Sequence, residues 1–91
     1  MPKFRDSFTV VNEKGLHTRP STELVKCASV FKSQIFLSYQ DLTVNAKSLL
    51  GILMLAASRG AKILIEAEGE DAEEAIQSIL KLAQNKFNIR Y

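Results

Sequence analysis

Short stretches that alternate apolar and polar residues are interleaved with longer stretches of helical spacing along this chain. That interleaving limits the fold more than any single residue does. In the first stretch, Phe4 to Val11, Phe4, Phe8 and Val10 share one parity and Asp6 breaks the run. Ile35, Leu37 and Tyr39 share a face within Gln34 to Tyr39, and Leu42 to Asn45 is a short third stretch. In the fourth, Ala61 to Glu68, Ile63, Ile65 and Ala67 point one way and Lys62, Leu64 and Glu66 the other. Period-2 alternation of this kind predicts strands buried on one face only. Between them, Leu24, Val25, Ala28 and Phe31 predict a helix over Thr18 to Val30. Ala75, Ile76, Ile79, Leu80 and Ala83 predict another over Ala72 to Lys86, with acids at its start and Lys81 and Lys86 at its end. Ser48 caps a shorter helix over Leu49 to Ala57, which Arg59-Gly60 ends.

The resulting order, βαββαβα, puts helices over one side of a sheet and leaves the other side open. The helical crossovers imply parallel strand partners, and the tight turn at Gln40-Asp41 implies one antiparallel hairpin. The 91 residues suit a single domain, 1–91, and 46% hydrophobic content suffices for a two-layer core.

Composition removes several classes of function. A net charge of +2 from 12 basic and 10 acidic side chains does not suggest nucleic acid, and the aromatic residues are not interleaved with basic ones. One cysteine, Cys27, excludes an intrachain disulfide, and one cysteine with one histidine excludes a His/Cys zinc site. Cys27 lies off the inward stripe of its helix and reads as a small, half-exposed helix residue. No cofactor or metal is expected. The charged start and the lack of a long apolar run imply no leader and no membrane span, which fits a soluble cytoplasmic protein.

The chemistry concentrates at Gly15-Leu16-His17-Thr18-Arg19-Pro20. A turn glycine, a histidine and a helix start place the imidazole beside backbone N–H groups that favour an anion. Arg19 adds a permanently charged guanidinium matched to phosphate. Imidazole is a competent nucleophile near neutral pH, so the segment suits a transient phosphohistidine. It equally suits a plain helix cap at His17 beside a surface arginine. A triad is not supported, since no local nucleophile and acidic orienter accompany His17, and Ser21 and Thr22 read as small helix residues.

The second informative segment starts at Ser48. On a helical wheel Ile52, Leu55 and Ala56 can face the sheet, which leaves Leu49, Leu50, Leu53, Met54 and Ala57 on another face. A two-layer domain cannot readily bury both, so an exposed apolar patch suited to docking is expected; full enclosure of the helix is the alternative. Ser48 reads as an N-cap, and a phosphate there would be accepted by the helix end while placing negative charge beside the patch. The acidic group Glu66, Glu68, Glu70 and Asp71 reads as a solvated strand end and helix start.

At these residues the chain resembles the HPr family, the histidine phosphocarriers of the bacterial phosphoenolpyruvate:sugar phosphotransferase system. The likeness spans essentially the whole chain. It rests on the Gly15 to Pro20 segment, on Asn45-Ala46-Lys47-Ser48 with Gly51, and on Glu68-Gly69-Glu70-Asp71. The resemblance implies an open-faced β-sandwich with a four-stranded antiparallel sheet in the order 1-4-2-3 and three helices. It implies that His17 takes phosphate on Nδ1 from phosphorylated enzyme I and passes it to enzyme IIA domains, with Arg19 contacting the phosphate. The protein would then be a monomeric relay and not an enzyme with its own turnover. Ser48 would match the site of an HPr kinase/phosphorylase. The docking surface would take in Thr18, Thr22, Lys26, Lys47, Leu49, Leu50 and Leu53. Ser21 stands where the family usually has alanine, and the last residues, Asn88 to Tyr91, run slightly past the usual family end. A nitrogen-branch carrier and a regulatory module of the same fold are the alternatives. His17 argues against the second, and Lys47 to Leu50 leans toward the sugar branch.

Overall fold

The computed structural model describes residues 1–90. Its elements are β1 (Lys3–Thr9), α1 (Thr18–Ser29), β2 (Gln34–Tyr39), β3 (Leu42–Asn45), α2 (Leu49–Met54), β4 (Lys62–Glu68) and α3 (Ala72–Gln84), followed by a short turn at Lys86–Asn88. The four strands form one sheet in the order β1-β4-β2-β3, and every neighbouring pair is antiparallel. The expectation of parallel partners is therefore corrected. β1 and β2, joined through α1, do run the same way, but β4 lies between them and pairs with both. Each helical crossover skips one strand, and the skipped position is filled by a strand of opposite direction.

The alternation expected from the sequence sets the two faces of the sheet. Ile35 and Leu37 of β2 and Ile63, Ile65 and Ala67 of β4 are buried, while Lys62 and Leu64 are exposed. The buried face meets Leu24 and Ala28 of α1, Ile52 of α2 and Ala72, Ala75, Ile76, Ile79 and Ala83 of α3 in one core. On the open face Arg5 Nε meets Glu66 Oε1 at 2.8 Å and Lys3 Nζ lies 3.5 Å from Glu66 Oε2. The hydrogen bond from Arg5 is the main cause that holds the Glu66 carboxyl below its ordinary value. Glu66 is thus one pole of a surface ion cluster.

Several boundaries differ from the sequence reading. The strand expected to Val11 ends at Thr9, and the one expected from Ala61 begins at Lys62. α1 closes at Ser29, with Val30 as its C-cap. α2 ends at Met54 and not at Ala57, because Ala56 turns left-handed at φ 50°. That turn also exchanges the two alanines: Ala56 is exposed and Ala57 is buried. α3 stops at Gln84, and Lys86, expected as its last residue, is left-handed at φ 54°. The β2–β3 turn falls at Gln40-Asp41 as expected, with Gln40 at φ 55°. Among the described residues no helix is long and apolar enough to cross a membrane.

Candidate functional site

His17 is the N-cap of α1, in an extended conformation at φ −78° and ψ −170°. Its side chain makes no capping hydrogen bond to the helix. The cap reading open at the sequence level is therefore met by the backbone only: Ser21 N donates to His17 O at 3.0 Å. The residue is half-buried, and its ring nitrogen Nε2 is closed off from solvent. Arg19 stands exposed in the first turn, and Pro20, whose missing N–H costs nothing there, is buried.

The loop that carries His17 is held from three sides. Gly15 sits at φ +70°, a conformation that favours glycine. A Cβ there would run into Ala57 O and lie 2.8 Å from Ser58 Cα. This close approach lets Leu16 N donate to Ala57 O at 2.9 Å. On the helix side, the hydroxyl of Ser21 donates to Leu16 O at 2.9 Å from a fully buried position. On the third side, Gly15 N donates to Asn12 O at 3.0 Å, and Asn12 is itself fully buried. The sequence reading gave Ser21 and Asn12 no such part. A small residue in a helix and an asparagine three residues before Gly15 carry no local mark of burial.

The Leu16–Ala57 bond brings the exit of α2 to the His17 loop, and α2 packs on α1. Ile52 and Leu55 point inward and are buried, whereas Leu49, Leu50 and Met54 are exposed and Leu53 is half-buried. Leu50 is 69% exposed and Met54 61%, so α2 is not enclosed on both faces. Ser48 caps α2: its Oγ accepts from Gly51 N at 3.0 Å. A Cβ on Gly51 would lie 3.2 Å from that same oxygen, which explains a glycine in the first turn of so short a helix.

The other expected docking residues are placed less uniformly. Thr18 is exposed at the start of α1, and the Thr22 hydroxyl donates back to Thr18 O at 2.8 Å. Lys26 is exposed and lies 3.3 Å from Glu23 Oε2. Lys47 is half-buried, and its ammonium donates to Phe31 O at 2.6 Å, just past the C-terminal end of α1. A cation there complements the helix dipole. Cys27 is half-buried against the core, and burial pushes its thiol up from the ordinary 9.0, away from reactivity.

The arrangement therefore presents one half-buried imidazole at a helix N-terminus, an exposed guanidinium side chain two residues on, and an apolar patch reached through a backbone bond. His17 is half-buried and Thr18 and Arg19 are exposed, so the site lies at the surface. The family profile described as the PTS HPr component phosphorylation site matches residues 4–85. The chain belongs to the HPr family. It is 44% identical over 80 residues to the phosphocarrier protein HPr of Xylella fastidiosa (strain Temecula1), covering 88% of this chain and 90% of the relative. Its fold is similar to that of HPr-C-His from Thermoanaerobacter tengcongensis, with a TM-score of 0.91 at 39% identity over 97% of this chain and 99% of that one. A phosphocarrier protein HPr from Bacillus anthracis gives a TM-score of 0.83 at 38% identity over 87% of this chain and 94% of its own. HPr membership agrees with the antiparallel 1-4-2-3 sheet and three helices described above.

Proposed function

We propose that this HPr-family chain is a cytoplasmic, monomeric phosphoryl relay, one domain over residues 1–91, that accepts phosphate on His17 from phosphorylated enzyme I and passes it to enzyme IIA domains. The observation that carries the reading is the place of His17 itself, the N-cap of a twelve-residue helix with Arg19 exposed in its first turn. Closure of Nε2 from solvent supports Nδ1, the nitrogen that the family resemblance implies, as the nucleophile. The Nδ1 lone pair attacks phosphorus, and the bond from phosphorus to the donor's atom breaks with its electron pair going to the donor. The proton lost from the His17 ring balances the one that the donor takes up. The transferred group then lies against the positive end of α1, and Arg19 neutralises part of its charge. In the onward step the same bond breaks in favour of the next acceptor, so the protein is a stoichiometric carrier and not a catalyst with independent turnover.

Leu49, Leu50, Leu53 and Met54 supply the apolar contact for both partners, beside Thr18 and Lys26 on α1. Ser48 is the regulatory position. Phosphate there would keep its place at the α2 N-terminus and set about two negative charges against the docking patch. A chase experiment tests the relay. The protein is labelled with radioactive phosphoenolpyruvate and enzyme I, freed of both, and mixed with a IIA domain. Label should pass to the IIA domain with loss from this protein in equal amount. Label retained on this protein in the presence of functional IIA domains would contradict the relay.

A further inference from the structure

The segment that follows α3 lies outside the family match, which ends at residue 85, yet it is built into the core. Lys86, Phe87 and Asn88 are three successive left-handed residues, at φ 54°, 56° and 64°, and none is glycine. Left-handed L-residues are sterically disfavoured, so the turn persists only because its contacts over-determine it. Phe87 is fully buried and meets Phe8 of β1 edge-on, with ring centroids 5.8 Å apart at 67°. Within the turn, Ile89 N donates to Lys86 O and Asn85 Nδ2 donates to Asn88 Oδ1.

The strained turn is tied to the His17 loop by one buried side chain. Asn12 Nδ2 donates to Lys86 O at 3.0 Å, and Asn12 O accepts from Gly15 N at 3.0 Å. Asn12 therefore bridges the turn and the glycine whose position sets Leu16 and His17. A fully buried amide fixes geometry because moving it away from its partner costs the full desolvation of both groups. Asn12, Ser21 and Ser33 are the buried polar residues among those described, and two of the three hold this one loop.

We infer that the Lys86–Asn88 turn is a strap on the phosphorylation loop and that Asn12 is a positioning residue for phosphoryl transfer, acting through Gly15 and Leu16 on His17. The inference rests on His17 as the phosphoryl acceptor. In-line transfer is sensitive to misplacement of the attacking atom, and a shift of about 1 Å costs up to roughly 10²-fold in rate. Loosening the strap moves the His17 ring more than the patch on α2, whose start the Ser48 cap holds, and so lowers the maximal transfer rate while leaving docking unchanged.

The test compares Asn12→Ala with Lys86→Ala, which removes a side chain but keeps the accepting carbonyl. Single-turnover phosphorylation is followed against the concentration of phosphorylated enzyme I, at a temperature where circular dichroism shows each variant folded. Asn12→Ala should lower the maximal rate on the order of tenfold with KM unchanged, and the backbone amide resonances of Gly15 and Leu16 should shift. Lys86→Ala should match the wild type. If Asn12→Ala does not fold, Phe87→Leu, which keeps an apolar plug but loses the edge-on contact, is read in the same way. A lower melting temperature with an unchanged maximal rate would overturn the inference, as would a Lys86→Ala loss equal to that of Asn12→Ala. Wild type that gains no phosphate on His17 would instead overturn the proposed function, so the two failures are distinct.

Discussion

The backbone N–H of Leu16 donates to the carbonyl oxygen of Ala57 at 2.9 Å, so the loop that ends in His17 hangs on the chain leaving α2. The candidate phosphoryl acceptor and the exposed apolar patch are therefore placed relative to each other by main-chain geometry.

Gly15→Ala should break that link. The new Cβ would collide with Ala57 O at a backbone φ of +70°, so both sterics and torsion oppose it. A loss of about 1–3 kcal/mol from the strained backbone alone is expected, with slower phosphorylation of the folded fraction. Urea denaturation with a rate measurement on the same sample checks both. Wild-type stability would show that the loop relaxes away from Ala57 freely.

Arg19→Ala should leave the fold intact, because Arg19 is exposed, and should slow transfer. Loss of one charged donor at a phosphoryl group removes about 2–4 kcal/mol of transition-state stabilisation. Single-turnover rates from phosphorylated enzyme I provide the measurement. An unchanged rate would remove Arg19 from the site.

The element order, the one-sided burial of the strands and the Ser48 cap were all legible in the sequence, because each depends on local spacing. Strand pairing beyond the β2–β3 hairpin was not, since Lys62 to Glu68 carries no local mark of which neighbours it chooses. β4 enters between β1 and β2 only because α1 has already carried the chain past that position. The end of α2 was misplaced for a related reason: Ala56 takes a left-handed turn that nothing in an alanine announces. His17 and Arg19 were visible as a motif. Asn12 and Ser21 were not, because their roles depend on partners brought in from Lys86 and from the residue before His17.

Ser48→Asp should keep the α2 cap, since a carboxylate also accepts from the first turn, and so melting should stay near wild type. The added charge beside exposed Leu49 and Leu50 should weaken docking, which lowers the rate of His17 phosphorylation at sub-saturating enzyme I. Equal rates would refute the switch, and a large loss of stability would make Ser48 a structural cap alone.

Stability should also fall in acid through Asp71. Its carboxylate accepts from the Ser33 hydroxyl, from Ser33 N at 2.9 Å and from Lys32 N at 2.9 Å, and so ties the α1–β2 connection to the start of α3. The Ser33 hydroxyl bond first, then the Lys32 N–H, holds the Asp71 carboxyl below its ordinary value of 3.8. A carboxyl whose folded value is lowered stabilises the fold above its unfolded value and loses that contribution as pH falls through the folded one. Melting temperatures of wild type and Asp71→Asn should therefore converge as the pH drops below 3.8 and differ most near neutrality. A difference that stays constant with pH would contradict this.

The central claim is that His17 carries the phosphoryl group, and intact mass tests it most directly. The protein is incubated with phosphoenolpyruvate and enzyme I and weighed before and after mild acid, beside His17→Ala. The account predicts a single phosphoryl increment on the wild type that acid removes, and none on His17→Ala. An acid-labile increment on His17→Ala, or an acid-stable one alone on the wild type, would contradict it.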